Sequence, residues 1–332
     1  MKYDDIQMER ELVRAGGPAD RDTAGSGVLP QTSPTGRRVC AGIVGLVLVA
    51  STAICAWAGQ TVDEKASVSK DGRVDIENLG GSVRVIGWDK NEVTVEGVLA
   101  DDAEDFVFEA DDRRTKIEVI FPRRMRGNHD VDSDLEVHVP KGSRVRVSTV
   151  SATIDIKDVT GSVDLESVSG EITVVGPMES AEAQSVSGEL RISGKVGEID
   201  AGSVSGDVIL DVPGGDVAVS TVSGDIETVG GVFESGDFSS VSGSIEFDGA
   251  PTESGSLEFD CHSGRVRIEL PSDLSAEVDV NTFSGDIDSA FGPKPRRTSD
   301  YAPGKELSFT MGDGDARISI NTFSGSVRIV GK

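Results

Sequence analysis

The residues best placed to do chemistry in this sequence are oxygen-bearing side chains at alternating positions. Five of them alternate over one short segment: Asn128, Asp130, Asp132, Asp134 and Glu136. An extended backbone would put all five on one face, and carboxylate and amide oxygens are the ligands that calcium prefers. The run lacks the turn glycine of an EF-hand calcium loop, because Leu135 stands at that position. The pattern therefore predicts either a weak calcium site, with Asp130, Asp132, Asp134 and Glu136 as ligands, or a solvated acidic segment.

The remaining reactive residues predict no catalytic centre and no cofactor site. The three histidines, His129, His138 and His262, have no serine or cysteine partner at a spacing that indicates a triad. The glycine-rich phrases lack the Lys-Ser/Thr pair and the following helix of a phosphate loop. Carboxylates on neighbouring strands could cleave glycosides, but aromatic residues that would stack on sugars are scarce. A polysaccharide-active enzyme is therefore the least favoured alternative.

An internal repeat organises most of the chain. The phrase Ser-Val-Ser-Gly-acid-apolar begins at Ser167 and returns at a constant spacing at Ser185 and Ser203. Further copies begin at Thr221, Ser240, Cys261, Thr282 and Thr322, and a degenerate early copy begins at Thr149. Self-similarity at a fixed period is the signature of a repeat architecture.

Each 18-residue unit divides into two halves of equal length, and alternation within each half indicates one short strand. The sequence therefore predicts an all-β fold, a β-solenoid or β-helix-like stack of roughly 18-residue coils with two strands per coil, preceded by one apolar N-terminal helix. We expect residues 59–332 to form this domain, with a looser β region at about 91–140 and regular coils at about 143–332.

The phase of the alternation predicts which columns of the stack face inward. On this pattern three sets of equivalent residues form ladders. The valines are expected to face inward: Val168, Val186, Val204, Val222 and Val241. The serines that follow them are expected outside: Ser169, Ser187, Ser205, Ser223 and Ser242. The glycines are expected inside, where a Cβ would clash: Gly170, Gly188, Gly206, Gly224 and Gly243. His262 occupies the valine slot and is expected to point inward or to mark an irregularity.

The N-terminal region indicates export. The apolar segment Val39–Ala58 carries no charge along its whole length and follows Arg37 and Arg38. A segment of this length can span a bilayer, but Ala56-Trp57-Ala58 also fits a signal-peptide cleavage site. Both alternatives place residues 59–332 on the periplasmic or extracellular side of the envelope, anchored to the membrane through residues 39–58 or secreted after cleavage. Residues 1–38 are polar and predicted to be disordered.

The charge distribution excludes some partners. The net charge is −26, and residues 1–58 are balanced, so the excess lies in residues 59–332. Between Ser148 and His262 there are 22 acidic and three basic side chains, a composition that disfavours nucleic acid and anionic lipid. Arg113–Arg146 has the opposite balance, with nine basic and five acidic residues.

The strand motifs resemble a known bacterial family. The segment from Leu135 to Thr149, including Val139-Pro140 and Gly142-Ser143, leads into the Ser-x-Ser-Gly repeats and resembles the β-strand-repeat proteins called "putative adhesin", a domain of unknown function. Glu269-Leu270-Pro271 and the run from Val278 to Ile287 resemble it as well. The resemblance covers roughly Val62–Lys332 and implies an exported or membrane-attached β-repeat protein. It supplies no catalytic or binding residues.

We therefore expect a non-enzymatic, exported cell-envelope protein that serves adhesion or surface scaffolding. Its partner would be an envelope or extracellular ligand, protein or glycan, and not nucleic acid. The main alternative is a polymerising scaffold whose copies associate through exposed terminal coils, because the last apolar repeat ends near the C-terminal Gly331-Lys332 without an obvious cap.

Overall fold

The computed structural model describes residues 60–122, 129–299 and 303–332, and in these residues the fold is all-β. Strands joined by turns and bends make up the described chain, which contains no helix that could cross a membrane. The predicted disordered segment 1–38 and the predicted apolar helix 39–58 lie outside the described residues.

Twenty-five strands follow one another in the described residues. They are β1 (Thr61–Ser67), β2 (Arg73–Asn78), β3 (Gly80–Trp88), β4 (Glu92–Val98), β5 (Asp105–Ala110), β6 (Arg114–Ile120), β7 (Asp132–Pro140), β8 (Arg144–Thr149), β9 (Thr153–Lys157), β10 (Ser162–Ser167), β11 (Ile172–Val175), β12 (Met178–Ser185), β13 (Leu190–Ser193), β14 (Val196–Ser203), β15 (Val208–Asp211), β16 (Gly214–Thr221), β17 (Ile226–Ser240), β18 (Ile245–Cys261), β19 (Arg265–Leu270), β20 (Ala276–Thr282), β21 (Ile287–Ser289), β22 (Arg296–Arg297), β23 (Lys305–Met311), β24 (Ala316–Thr322) and β25 (Ser326–Gly331).

The strands stack into two ladders, and each coil of the chain adds one strand to each ladder. The first ladder runs in the order β5, β6, β2, β8, β10, β12, β14, β16, β17, β18, β24, β20, β23 and β22. The second runs in the order β1, β4, β7, β3, β9, β11, β13, β15, β17, β18, β19, β25 and β21. Pairing is parallel except at the ends, so the described chain forms a solenoid-like stack.

The predicted repeat length is confirmed by the register of the parallel pairs. Val163 pairs with Val145 on one side and with Ala181 on the other, one full repeat away in each direction. Ser240 pairs with Thr221 and with Cys261, so the coils through β17 and β18 are longer than those before them. Four fully buried phenylalanines fill this part of the core and contact one another: Phe233, Phe238, Phe247 and Phe259.

At both ends, the order of coils in the stack differs from their order in the chain. The last coil of the chain, β24 and β25, lies between the β18/β19 coil and the β20/β21 coil. The antiparallel strand β23 then pairs with β20. At the other end β5 and β4 pair antiparallel with β6 and β7. The expectation that the final apolar copy ends the stack is therefore wrong, because long-range pairing places it inside and antiparallel strands follow the outermost parallel coils.

The inward valine ladder is also wrong, for a reason found at the coil corners. Val168, Val186, Val204, Val222 and Val241 are 44% to 46% exposed. The preceding residues are buried instead: Ser167, Ser185, Ser203, Thr221 and Ser240. The Ser203 hydroxyl accepts a hydrogen bond from the Gly206 amide at 2.8 Å, and equivalent bonds recur in other coils. Because this tight turn interrupts the strand, the two-residue alternation does not continue through it.

The corner glycines occupy positions that no larger residue could fill, as the sequence predicts. A Cβ at Gly206 would lie 2.0 Å from the backbone oxygen of Gly188 in the next coil, and one at Gly188 would lie 1.9 Å from that of Gly170. Real Cβ atoms do not approach oxygen so closely, so these glycines set how tightly neighbouring coils can stack.

We predict that Gly206→Ala destabilises the fold by about 3 kcal/mol or more, because two stacked coils must separate to admit the methyl group. The midpoint of chemical denaturation of the full chain measures the effect. Ser205→Ala, at the exposed neighbouring position, is the matched control and should change stability by less than about 0.5 kcal/mol. Equal effects of the two substitutions would contradict the close-contact argument.

A second comparison tests which residues of a coil belong to the core. Leu210→Ala removes a fully buried side chain and should cost about 2–5 kcal/mol. Val204→Ala removes a half-exposed one and should cost less than about 1 kcal/mol, since little apolar surface leaves the core. Denaturation of both variants under the same conditions checks the order. A larger loss of stability for Val204→Ala than for Leu210→Ala would support an inward-facing valine ladder instead.

Candidate functional site

The outward side of the first ladder carries a continuous acidic surface between β10 and β18. Nine carboxylates form what we call the acidic face: Asp164, Glu166, Glu182, Glu198, Asp200, Asp216, Asp237, Glu258 and Asp260. Register places Asp164, Glu182 and Asp200 in one column on successive strands. No lysine or arginine occurs in these strand segments.

Neighbouring strands in a sheet lie about 4.8 Å apart, so carboxylates in one column repel each other. The repulsion is tolerated because most of these side chains are exposed to water and screened by salt. Their summed field gives the face a strongly negative potential, which raises the local concentration of cations and steers cationic partners to it.

Basic residues mark the two ends of the acidic face. At one end Arg146 contacts Asp164 at 3.4 Å and Glu166 at 2.7 Å. Beyond it, Arg73 and Arg114 on adjacent strands both contact the buried carboxylate of Asp75, at 2.6 and 2.9 Å. At the other end the first arginine in the ladder is Arg317 of β24, which contacts Glu277 at 3.3 Å. The acidic face is therefore bounded by several arginines at one end and by the single Arg317 at the other.

Asp237 is the member of the acidic face whose ionisation is most affected by its surroundings. Partial burial raises the pKa of the Asp237 carboxyl above its ordinary value, and repulsion from the neighbouring Asp260 raises that pKa further. Glu258 follows Asp237 in the same column. The carboxylates on β17 and β18 are therefore the part of the face where repulsion between neighbouring carboxylates most clearly opposes ionisation.

The predicted calcium ligands do not converge on one point. Asp132, Asp134 and Glu136 lie on one side of β7, where alternate residues of an extended strand are about 6.6 Å apart. The Ser82 hydroxyl donates to Asp134 at 2.6 Å, and Arg84 contacts Glu136 at 3.4 Å. The described residues contain no group of three or more His, Cys, Asp or Glu side chains that could hold a metal ion.

Asp130 and the fifth predicted oxygen donor lie at the edge of this region. The Asp130 carboxylate accepts a hydrogen bond from the backbone amide of Asp132, and its own amide donates to Asp102 at 2.8 Å. Asn128 lies outside the described residues. The residues Asp130, Asp132, Asp134 and Glu136 thus make separate contacts, and the calcium site stays a prediction.

The corner residues that the alternation pattern had placed inside form an exposed apolar column, which we call the ridge. Its nine members occupy the same slot in nine successive coils: Val150, Val168, Val186, Val204, Val222, Val241, His262, Phe323 and Phe283. The backbone amide of Ser187 donates to the carbonyl of Val168, and the same link recurs along the valines. The rings of His262 and Phe323 stack with centroids 4.8 Å apart, and those of Phe323 and Phe283 do the same.

One signal could have located the ridge from the sequence. The slot tolerates Val, His and Phe in copies that otherwise share their small buried residues. A close-packed interior does not accept such changes of volume without compensation, whereas an exposed corner does. His262 fits poorly into an inward-facing valine column, but it is an ordinary member of an outward-facing one.

The other histidines, the tryptophan and the free cysteine lie away from a common site. His138 packs beside Trp88, with ring centroids 5.0 Å apart, and Lys90 lies 4.2 Å from the Trp88 ring centroid. His129 contacts Asp102 through Nδ1 at 3.0 Å. Cys261 is buried in the slot of the corner serine, and burial raises the pKa of its thiol. The polar contacts of the His129 and His138 rings are thus with carboxylates. Neither histidine therefore has the geometry of a base beside a nucleophile.

Comparison with known families confirms the resemblance found in the repeats. Residues 214–330 match the family model described as Toastrack DUF4097, a β-repeat family of unknown function. A comparison with curated proteins found no match to the chain.

Several solved structures are similar to the chain at low identity. A "putative adhesin" from Parabacteroides distasonis ATCC 8503 is 12% identical, with a TM-score of 0.44, over 82% of this chain and 98% of that one. A "putative adhesin" from Parabacteroides merdae ATCC 43184 is 9% identical, with a TM-score of 0.44, over 82% and 97%. A "putative lipid binding protein" from Parabacteroides distasonis ATCC 8503 is 13% identical, with a TM-score of 0.38, over 82% and 97%.

The raised pKa of Asp237 predicts a pH-dependent effect of its removal. The folded chain holds this proton more tightly than the unfolded chain, so the ionised carboxylate destabilises the fold and its contribution to stability falls as pH rises through the pKa range. Asp237→Asn should therefore raise the thermal unfolding midpoint at pH 7. The gain should shrink as pH falls from 7 through the raised pKa towards 3.8, the ordinary value, and should be largely gone below it, where the carboxyl is neutral in both the folded and the unfolded wild type.

Asp260→Asn provides the companion measurement. It removes the repulsion, which is the smaller of the two causes, and leaves the burial of Asp237 in place. Its stabilising effect at pH 7 should therefore be smaller than that of Asp237→Asn. A lower midpoint for Asp237→Asn than for the wild type at pH 7 would contradict this assignment.

Proposed function

We propose that this chain, whose residues 214–330 match the Toastrack DUF4097 family, is a non-enzymatic exported protein of the cell envelope that serves adhesion or surface scaffolding. Its β-solenoid would present the acidic face to a cationic protein or glycan partner. Residues 39–58 would bring the domain across or onto the membrane, either as an anchor or as a cleaved signal.

The observation that carries the proposal is the acidic face, to which each strand of the first ladder from β10 to β18 contributes at least one carboxylate. Its carboxylates lie on strands whose positions are fixed by backbone ladders on both sides, so a partner meets a preformed array. An array of one charge sign favours fast, salt-dependent association with the opposite sign. Such binding uses many weak contacts and suits a surface that holds a polymer or a protein.

A second feature supports a binding role. The strands of the face are joined by short turns, so no long loop covers its carboxylates. Four of them, Asp164, Glu182, Glu198 and Asp200, line a cavity of about 270 Å³ together with Arg73, Arg144 and Arg146. The cavity places carboxylates beside arginines, so a partner that carries both charge signs could be held there, while the rest of the face is an exposed strand surface that suits an extended or large partner.

We predict that the full chain binds a poly-L-lysine 20-mer through the acidic face. The variant Glu182→Gln/Asp200→Asn/Asp237→Asn should bind at least tenfold more weakly, because it removes three charges from one column of the face. Isothermal titration at several salt concentrations measures the change, and the wild-type affinity should fall steeply as salt rises.

The matched control removes the same number of charges elsewhere. Asp211→Asn/Glu227→Gln/Glu246→Gln changes three exposed carboxylates of the second ladder and should alter the affinity less than threefold. If the two triple variants lose affinity equally, net charge alone explains binding and the face has no special role. Pull-down from envelope extract with the same three proteins then identifies the natural partner as a species that the wild type and control retain and the face variant loses.

A further inference from the structure

The ridge holds eight of the twelve large apolar side chains that are exposed among the described residues, and the proposed function leaves it unexplained. Its valines are 44% to 46% exposed, and Phe323 and Phe283 are 48% and 54% exposed. Isolated exposed apolar residues are common on soluble proteins, but a continuous row marks an interaction surface. Nine positions at the spacing of stacked strands extend over about 40 Å.

The spacing of the ridge selects the kind of partner. Its side chains repeat at the interstrand distance of about 4.8 Å, whereas alternate side chains of an extended peptide repeat at about 6.6 Å. A peptide lying along the ridge would therefore lose register within two or three coils. A second stack of strands has the same repeat, so the ridge of another copy of this chain can keep side chains aligned over the whole length.

Side-chain size distinguishes the two ways in which a pair of ridges could align. In a parallel pair each ridge residue meets itself, so the phenylalanine end is wide and the valine end is narrow. In an antiparallel pair centred on Val222, Phe283 meets Val150 and Phe323 meets Val168. The remaining pairs are His262 with Val186, Val241 with Val204, and Val222 with itself. Large residues then meet small ones, and the gap between the two copies stays nearly constant.

The charges that flank the ridge favour the same arrangement. A twofold axis that crosses the ridge places each flanking column opposite its own copy in reversed order. The column two residues before the ridge contains Glu166, Gln184, Asp260 and Asn321. Antiparallel alignment opposes Glu166 to Asn321 and Gln184 to Asp260, so each carboxylate meets an amide that can donate a hydrogen bond.

The column on the other side gives an independent comparison. Its charged members are Glu171, Glu189, Asp207, Asp225, Arg265 and Asp286, and Ser326 occupies the coil beyond Arg265. Antiparallel alignment opposes Glu189 to Arg265 and Glu171 to Ser326. Asp225 lies at the centre of the alignment, so it opposes the Asp225 of the other copy. This contact between like charges occurs once in the interface.

Parallel alignment gives a less favourable set of charge contacts. Its twofold axis runs along the ridge, so the two flanking columns of one coil would oppose each other. Asp260 would then meet Arg265 twice, as Glu189 meets Arg265 twice in the antiparallel pair. Glu166 would also meet Glu171 at two places, whereas the antiparallel pair has the single Asp225 contact, and opposed like charges weaken association. Side-chain size and flanking charge therefore point to the same antiparallel orientation.

We propose that two copies of this chain associate along the ridge as an antiparallel dimer, with the twofold axis at Val222. The contact is isologous, so it closes at two copies and does not generate a filament. A strip about 40 Å long and about 10 Å wide is smaller than a standard interface, so the affinity should be in the micromolar range. The dimer goes beyond the proposed function and does not depend on it.

Disulfide trapping of the full chain in mild detergent tests the orientation. All samples carry Cys40→Ser and Cys55→Ser, and the buried Cys261 is kept. Val222→Cys should form a covalent dimer under mild oxidation, because the two thiols meet at the axis. Val150→Cys alone should not, whereas a mixture of Val150→Cys and Phe283→Cys chains should form a mixed dimer.

The same experiment can overturn the proposal. Efficient trapping of Val150→Cys on its own would show a parallel pair. Trapping of Val222→Cys no faster than Val229→Cys, an exposed valine outside the ridge, would show that the ridge makes no specific contact. These results do not depend on poly-L-lysine binding, so the dimer and the proposed function can fail separately.

Sedimentation equilibrium provides a measurement without cysteine chemistry. The wild-type chain should show a monomer–dimer equilibrium with a midpoint in the micromolar range. Val222→Asp places two carboxylates at the axis and should weaken the dimer at least tenfold, while Val229→Asp should leave it unchanged. A wild-type chain that stays monomeric at 100 µM, about a hundredfold above the expected range, would refute the dimer.

Discussion

The close contact between corner glycines of successive coils is the constraint on which the rest of the structure depends. From Gly188 to Gly264 each corner glycine presents its Cα side to the backbone oxygen of the corner glycine in the preceding coil, at a distance that excludes any Cβ. The hydroxyl of the buried serine three positions earlier accepts the glycine amide in several coils, which fixes the turn. Because the same turn recurs in successive coils, both ladders keep their register and every outward position becomes a column.

Because equivalent residues of successive coils stack in columns, a repeated sequence produces continuous surfaces. A residue type that recurs at one repeat position produces a line of identical groups about 4.8 Å apart, which is how valine at the corner becomes the ridge. Variation at an outward strand position changes the chemistry along the stack instead, as in the column from Arg146 through Asp164 and Glu182 to Asp200. The buried residues repeat to maintain the coil, and the outward residues carry the differences between one region and the next.

The sequence alone predicts the coil length, the two strands per coil and the role of the glycines, because these depend on local spacing. It did not predict the exposure of Val168 and its equivalents, since period-two alternation was extended through a corner where the backbone turns. The position of β24 and β25 between earlier coils was also beyond local reasoning, because parallel pairing with β18 and β20 joins segments far apart in the chain. The acidic face was foreseen as a charge imbalance, but its placement on the first ladder needed the register.

The way the stack ends determines which associations remain open to it. Antiparallel strands follow the parallel coils on both ladders at one end, through β5 and β4, and on the first ladder at the other end, where β23 follows β20 and β21 ends the second ladder. These antiparallel strands interrupt the repeat that an end-to-end partner would have to continue. The ridge has no such interruption, since nine coils contribute the same exposed slot. The first ladder is highly charged and repels a like copy, whereas the corner carries an apolar column whose flanking Glu166, Asp260 and Glu189 oppose Asn321, Gln184 and Arg265 in the antiparallel pair. Lateral contact at the corner is therefore the association that costs least electrostatically, and it leaves the acidic face open to a different partner except at Glu166 and Asp260, which flank the ridge.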